Sequence, residues 1–332
     1  MIFGIFDQLP CSDEQIPSQR YKDVISQAQL ADELGFDQVW LAELHFNPRF
    51  SMMPAPLMLG SAIAQITKDI RIGTAVNLLP LHQPIRLAEE VATLDQLSEG
   101  RAIFGIGRGA QPRQYQGYGI HMDEGRRRFL EALDLIKQAW TQKESHFTGQ
   151  FYNVDNVSVV PKPYQAPNPP IYIAANSFDT FEMVGELGHN LLVAPLVVSR
   201  EGALAGLEAY KCAAGEYLIN LSININIPVY VTEENEKVKN GYKFTVDNYL
   251  STLQQNRSNA ASRAANLDYE TVCADYAAIG TPEQVVSKLK FFQQIFDPQE
   301  FMGWFNIGGM LPNDEVANSM KLFAEKVMPQ FK

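Results

Sequence analysis

What most constrains this chain is an alternation that runs nearly its whole length: short apolar runs of strand size separated by longer segments whose apolar residues recur at helical spacing. Repeated βα units produce that order, with strands paired in parallel and helices laid over them. Residues 2–7, 37–42, 70–76, 101–106, 170–174, 190–194, 223–231 and 301–307 read as strands. Segments 19–34, 54–67, 84–97, 122–143, 178–187, 200–216, about 233–253 and 313–330 read as helices. The first carries Val24, Ala28 and Ala31 on one stripe and stops at Gly35, and the third has Pro84 in its first turn and closes before Gly100. A further helix begins at Thr281 and Pro282, a cap followed by a proline at the first helical position. Eight strand signals in repeat order predict an α/β chain with a single (β/α)8 TIM-barrel domain over residues 1–332. No GxGxxG follows the first strand, which weighs against an open doubly wound sheet.

Two stretches break the rhythm and are expected as insertions. Residues 146–160 hold short alternating runs with turn residues, the pattern of a small antiparallel excursion. Residues 254–278 are polar and aperiodic, which predicts a mobile loop or lid.

At 332 residues with 46% hydrophobic content, the chain can bury a sizeable core. Its formal charge of -11 opposes a polyanion-binding surface, so nucleic acid is not expected as a partner. Cys11, Cys212 and Cys273 are far apart and show no ligand spacing, as reduced thiols would be. No run approaches the ~18 apolar residues of a membrane span, and no basic leader precedes residue 2. A cytoplasmic protein without a membrane partner is expected.

In a βα barrel, chemistry sits where the strands end, so the residues just past each apolar run are the candidates. Glu43 and His45 follow the second run two apart, a spacing that turns both side chains to one side of an extended backbone. There His45 could exchange protons near neutral pH, or it could be a core histidine bonded to Glu43. Gly107, Arg108 and Gly109 follow the fourth run; Asn176, Ser177 and Thr180 follow the fifth and open a helix. A guanidinium, hydroxyls and helix N-terminal amides suit a phosphate, although a surface salt bridge for Arg108 and a plain cap role for Ser177 fit the same residues. His82 lies in a loop that could line the pocket, while His121, His146 and His189 read as solvated. No histidine, cysteine or acidic cluster has metal-ligand spacing, and no GxSxG elbow or Walker loop appears.

Several of these segments resemble the bacterial luciferase-like flavin monooxygenase superfamily over almost the whole length. They are Glu33 to Glu43, Gly73-Thr74-Ala75, Leu79-Pro80 with Pro84 and Arg86, Leu94 to Arg101, Phe104 to Gly109, Ala175-Asn176-Ser177 and Ser319 to Phe323. The resemblance implies a barrel that takes reduced FMN from a separate flavin reductase, admits dioxygen and oxidises a small organic substrate. By similarity Arg108, Ser177 and Thr180 would take the flavin phosphate, with Asn176 where luciferase has a glutamate. Ala75 and Val76 match the place where relatives often have a non-prolyl cis peptide under the flavin rings. Leu44 stands where the luciferase catalytic subunit has its main catalytic histidine, and Gly107 replaces a reactive cysteine. Light emission is therefore not implied, and proton transfer would fall to His45, to Glu43 through water, or to a further group.

Two competing readings keep the fold: a hydride-transfer enzyme using a reduced deazaflavin coenzyme, and a flavin-binding or subunit-like barrel without catalysis. Phe6, Leu44, Phe46, Asn77, Leu196 and Trp304 are expected to shape an apolar substrate pocket. Ala55, Gly60, Ala62 and Ala64 would allow close helix approach in a homodimer, as relatives have through that region, or would simply pack on the barrel.

Overall fold

The computed structural model describes residues 1–255 and 267–331. Eight parallel strands run in order around a closed barrel: β1 (Ile2–Asp7), β2 (Gln38–Leu41), β3 (Arg71–Thr74), β4 (Ala102–Gly107), β5 (Ile171–Ala174), β6 (Asn190–Val193), β7 (Ile223–Val231) and β8 (Glu300–Trp304). Closure comes from β8, which pairs with β7 through Asn224↔Glu300 and with β1 through Ile2↔Glu300.

Helices cover the outside: α1 (Pro17–Glu33), α2 (Pro56–Ala64), α3 (Pro84–Leu97), α4 (Gly125–Thr141), α5 (Phe178–Glu186), α6 (Arg200–Ala214), α7 (Lys243–Gln255), α8 (Pro282–Phe296) and α9 (Asn313–Leu322). Several start where the sequence marks them. Pro17, Pro56, Pro84 and Pro282 occupy first-turn positions whose amides would have no helical partner, and Thr281 and Gln284 form a reciprocal capping box on α8.

Strand ends depart from expectation at two places that bear on function. The run 70–76 is not one strand: β3 stops at Thr74, the Ala75–Val76 peptide is cis, and Asn77–Leu78 then pairs with the end of β4. The run 301–307 also ends early, at Trp304. Gly308 and Gly309 adopt φ of 75° and 72° in a short turn, and a Cβ on Gly308 would lie 2.1 Å from the Thr245 carbonyl oxygen.

The excursion at 146–160 is an antiparallel hairpin, Ser145–Thr148 with Asn153–Val157. The reading of 254–278 as structureless is corrected. Residues 254 and 255 finish α7, Tyr269–Asp275 is a helix capped by Asp268, and Ala278–Gly280 pairs with the end of β7. Residues 256–266 of the expected lid lie outside the described residues.

One side chain organises the barrel interior. Trp40 on β2 is fully buried, and its indole N–H donates to Gln38 Oε1 at 2.8 Å. Its neighbours leave room for it: a Cβ on Gly73 would fall 2.4 Å from the ring, one on Gly4 3.1 Å, and one on Gly105 3.3 Å. Beneath it, the buried Glu300 carboxylate accepts from Gln38 Nε2 at 3.1 Å, Asn224 Nδ2 at 2.9 Å and the Tyr172 hydroxyl at 2.7 Å, so its burial is compensated. Outside the barrel, Arg101 donates to the carbonyls of Ala64, Thr67, Ile70 and Ser98, fixing the α2–β3 and α3–β4 connections. Gly60 and Ala64 face inward, Gly60 against Ile72 and Leu94; of the four small residues of that segment, Ala62 is exposed. Among the described residues, no helix is long and apolar enough to cross a membrane.

Candidate active site

After Leu41 the chain leaves the barrel at its C-terminal rim. Leu44 N–H donates to Met53 O at 3.1 Å, and Phe46 turns the chain with φ of 64°, so Glu43 and His45 both face the interior of this turn. Glu43 is buried, and its carboxylate is surrounded by donors. Oε1 accepts from His45 Nε2 at 2.9 Å, and His82 Nε2 lies 2.8 Å from both oxygens. Oε2 also accepts from Asn77 Nδ2 at 3.0 Å and Leu78 N–H at 3.1 Å. The break after β3 supplies two of these donors, since it brings Asn77–Leu78 against β4.

Burial by itself would push the Glu43 carboxyl up, but the hydrogen bonds from His45 and His82, the charge on His82 and the Asn77 amide override it and hold the group at about 2. For His82, burial opposes the charged ring, yet the hydrogen bond and charge of Glu43 outweigh that and raise it above 6.5. On the far side of His45, the Tyr118 hydroxyl lies 3.2 Å from Nδ1. Tyr118 and Phe46 pack on the imidazole at 5.0 and 5.6 Å.

The sequence expectations divide here. Glu43 and His45 do come together. His82, read only as lining the pocket, makes the closest contacts to the carboxylate, and Tyr118 was missed. Thirty-nine and 73 residues of chain separate these groups from Glu43 and His45, so only the side-by-side pairing of β2, β3 and β4 joins them. Of the remaining histidines, His189 is not solvated as expected: burial holds its ring at about 4, with the nearby Lys137 cation adding to the effect. His146 is exposed and pairs with Asp155 at 2.7 Å.

A second group of candidates lies along the β3, β4 and β5 ends. Ala75 and Val76 are half-exposed and join Phe6 and Ala174 as an apolar ledge over the Trp40 layer. Gly107 keeps this ledge in place, because a Cβ there would lie 2.6 Å from Val76 Cγ2. Arg108 is exposed and makes no side-chain hydrogen bond or ion pair among the described residues, while its carbonyl accepts from the Tyr115 hydroxyl at 2.5 Å. Ser177 occupies the N-cap position of α5 but does not cap it; its hydroxyl pairs with that of Thr180 at 2.8 Å, and Asn176 beside it is exposed. Since Ile106 pairs with Ile173, the Arg108 and Asn176-Ser177 segments leave adjacent strands at the same rim.

The expected pocket residues are only partly joined. Phe6 and Trp304 meet edge to face at 5.0 Å, and Tyr249 meets Trp304 at 4.9 Å. Asn77 is committed to Glu43 through its amide nitrogen, leaving Oδ1 buried without a partner among the described residues.

Comparison with known proteins agrees with this architecture. A family described as luciferase-like monooxygenase matches residues 1–297. The oxygenase component of a flavin-dependent trigonelline monooxygenase from Acinetobacter baylyi is 29% identical over 350 residues, covering 100% of this chain and 96% of that protein. The uncharacterized protein y4vJ of Sinorhizobium fredii is 37% identical over 196 residues, 58% of this chain and 55% of that one, so the match spans little more than half of that relative. Among solved structures, monooxygenase RslO1 from Streptomyces bottropensis superposes with a TM-score of 0.90 at 27% identity, covering 100% of both chains.

Proposed function

This chain belongs to the luciferase-like monooxygenase family, and from that premise we propose that it is a flavin-dependent monooxygenase. In this reading it takes reduced FMN from a separate flavin reductase and uses dioxygen to oxidise a small apolar substrate. The observation that carries the reading is the rim of β3, β4 and β5. There a side-chain-free Gly107 and the Ala75–Val76 ledge leave an apolar shelf, with an uncommitted guanidinium on Arg108 and a hydroxyl pair on Ser177 and Thr180 beside it. A flat ring system carrying a phosphate suits such a set.

Ala75, Val76 and Gly107 would hold the rings, and Arg108, Asn176, Ser177 and Thr180 the phosphate. The unpartnered Asn77 Oδ1 adds a buried acceptor at the same rim. When bound, a reduced flavin supplies the electrons for reduction of dioxygen. The protein supplies the rest: an apolar ledge that excludes water, and a fixed anion at Glu43 that orients two imidazoles. Phe6, backed by the buried Trp304 and Tyr249, gives the rim an aromatic surface suited to an apolar substrate. A homodimer through the exposed faces of α2, where Met58 is 76% exposed, belongs to the same reading and predicts a concentration-dependent sedimentation coefficient.

Anaerobic titration with reduced FMN and with a reduced deazaflavin, followed by mixing with oxygenated buffer, tests the proposal. Saturable binding of reduced FMN with oxygen consumption is expected. Binding of the deazaflavin alone would replace the reading with hydride transfer, and binding of neither would remove it.

A further inference from the structure

Two imidazoles share one carboxylate at this rim, and the directions of the hydrogen bonds decide which protons each carries. An ionised Glu43 can only accept, so both His45 Nε2 and His82 Nε2 must be N–H donors to it. The second nitrogens of the two rings differ in environment. His45 Nδ1 faces the Tyr118 hydroxyl at 3.2 Å, and only 4% of the His45 side chain is accessible. The Tyr118 hydroxyl can donate to Nδ1 or accept from it, so both ring nitrogens of His45 are partnered within the protein. His82 Nδ1 has no partner among the described residues, and 25% of its side chain is accessible, so an N–H there can reach water or a bound molecule.

Charging both rings would set two cations against one carboxylate where solvent screening is weak. The other charged groups facing His82 favour its protonation. Glu43 bonds it directly and Glu90 approaches from α3, although Arg86 on the same helix pairs with Glu90 at 2.8 Å and blunts that contribution. Among the described residues, the titratable groups across the carboxylate are His45 and the neutral Tyr118.

From this arrangement we infer that His82 is the proton donor of the barrel rim, giving up its Nδ1 proton, and that Tyr118 is a positioning residue that occupies His45 Nδ1. The inference deepens the monooxygenase reading and rests on it for the identity of the acceptor, an oxygen or nitrogen base in the bound reactants. In the transfer, the Nδ1–H bond breaks and its electron pair stays on the ring. What remains is neutral His82 protonated at Nε2, still donating to Glu43, and water restores the lost proton.

The test is nitrogen-15 NMR of the histidine rings in the full-length, flavin-free protein across roughly pH 5 to 9, with His82→Gln and Tyr118→Phe assigning and perturbing the signals. A glutamine can still donate to Glu43 but carries no dissociable proton. His82 is expected to pass from the doubly protonated ring to the Nε2–H form with a midpoint above 6.5. Tyr118→Phe frees His45 Nδ1, so the His45 ring signals should shift with little movement of His82. A His82 ring that stays singly protonated across this range would overturn the inference, and so would a His45 signal indifferent to Tyr118→Phe. In turnover, native activity should fall about tenfold per pH unit above the His82 midpoint and that limb should vanish in His82→Gln; a limb that survives counts against the assignment. FMN binding on the same samples reports separately: its absence removes the flavin reading and leaves the charge assignment standing.

Discussion

Replacing Glu43 by glutamine removes the anion on which both imidazoles and the end of β3 depend. The depression of the carboxyl from 4.5 to about 2 measures how much more tightly the folded state holds the ionised form. At about 1.4 kcal/mol per unit, that amounts to roughly 3 kcal/mol at neutral pH. A glutamine oxygen can serve only part of the donor set, and its amide hydrogens confront imidazole N–H groups. One or two buried donors then lose their partner, at about 1–3 kcal/mol each, which agrees in size.

The sign of the pH dependence follows from the two shifts. The folded-state carboxyl is depressed, so its stabilisation is fully present above 4.5 and is lost as pH falls toward about 2; roughly 2 kcal/mol of it should be gone by pH 3. His82 is raised, so its share is present below 6.5 and is lost as pH climbs through its higher folded value. These are two views of one interaction and are not summed. Urea unfolding of native and Glu43→Gln protein, followed by tryptophan emission, should show a stability difference that peaks between about pH 4.5 and 6.5 and narrows on both sides. A difference that is flat with pH, or below about 1 kcal/mol throughout, would refute the reasoning.

Other positions give sharper single outcomes. Trp40→Ala should cost about 3–5 kcal/mol in thermal unfolding, because the glycines around the indole have no side chains with which to fill the space. Gly107→Ala drives a methyl to within 2.6 Å of Val76 Cγ2. It should cost about 1–3 kcal/mol in stability and weaken FMN binding, read by fluorescence quenching. Asp32 accepts from the amides of Lys68, Asp69 and Ile70 at 2.7, 3.0 and 2.7 Å. Those bonds overcome its partial burial and lower its pKa, so Asp32→Ala should lose about 1 kcal/mol at neutral pH, and the loss should fade as pH falls below 3.8.

Much of the barrel could be read from periodicity, since each strand is short, apolar and separated from the next by a helix with its own start signal. The limits of β1, α3 and β7 match the predicted ones residue for residue. Boundaries failed where the backbone does something that side-chain hydrophobicity does not encode. Residues 70–76 carry enough apolar and β-branched side chains to pass for one strand, yet the ladder is interrupted at the cis Ala75–Val76 peptide. Residues 254–278 look aperiodic because a seven-residue helix and a three-residue strand are too short to show a period. At the site, Glu43 and His45 were visible because their relation is local. His82 and Tyr118 were not, because nothing in the neighbourhood of either residue records that the pairing of β2, β3 and β4 will set it against the other end of the cluster. A histidine flanked by Pro80 and Pro84 at the foot of α3 was the available signal for His82. Tyr118 had none beyond its place in the loop after β4.

Binding of FMN and of riboflavin, measured side by side on the native protein and on Arg108→Ala, tests most directly whether this rim is a flavin site. The native chain should prefer the phosphorylated molecule by roughly ten- to a hundredfold, the worth of a charge-assisted hydrogen-bonded contact, and Arg108→Ala should erase most of that preference while leaving riboflavin affinity nearly unchanged. Equal affinities for the two molecules in the native protein, or a preference that survives loss of the guanidinium, would contradict the account.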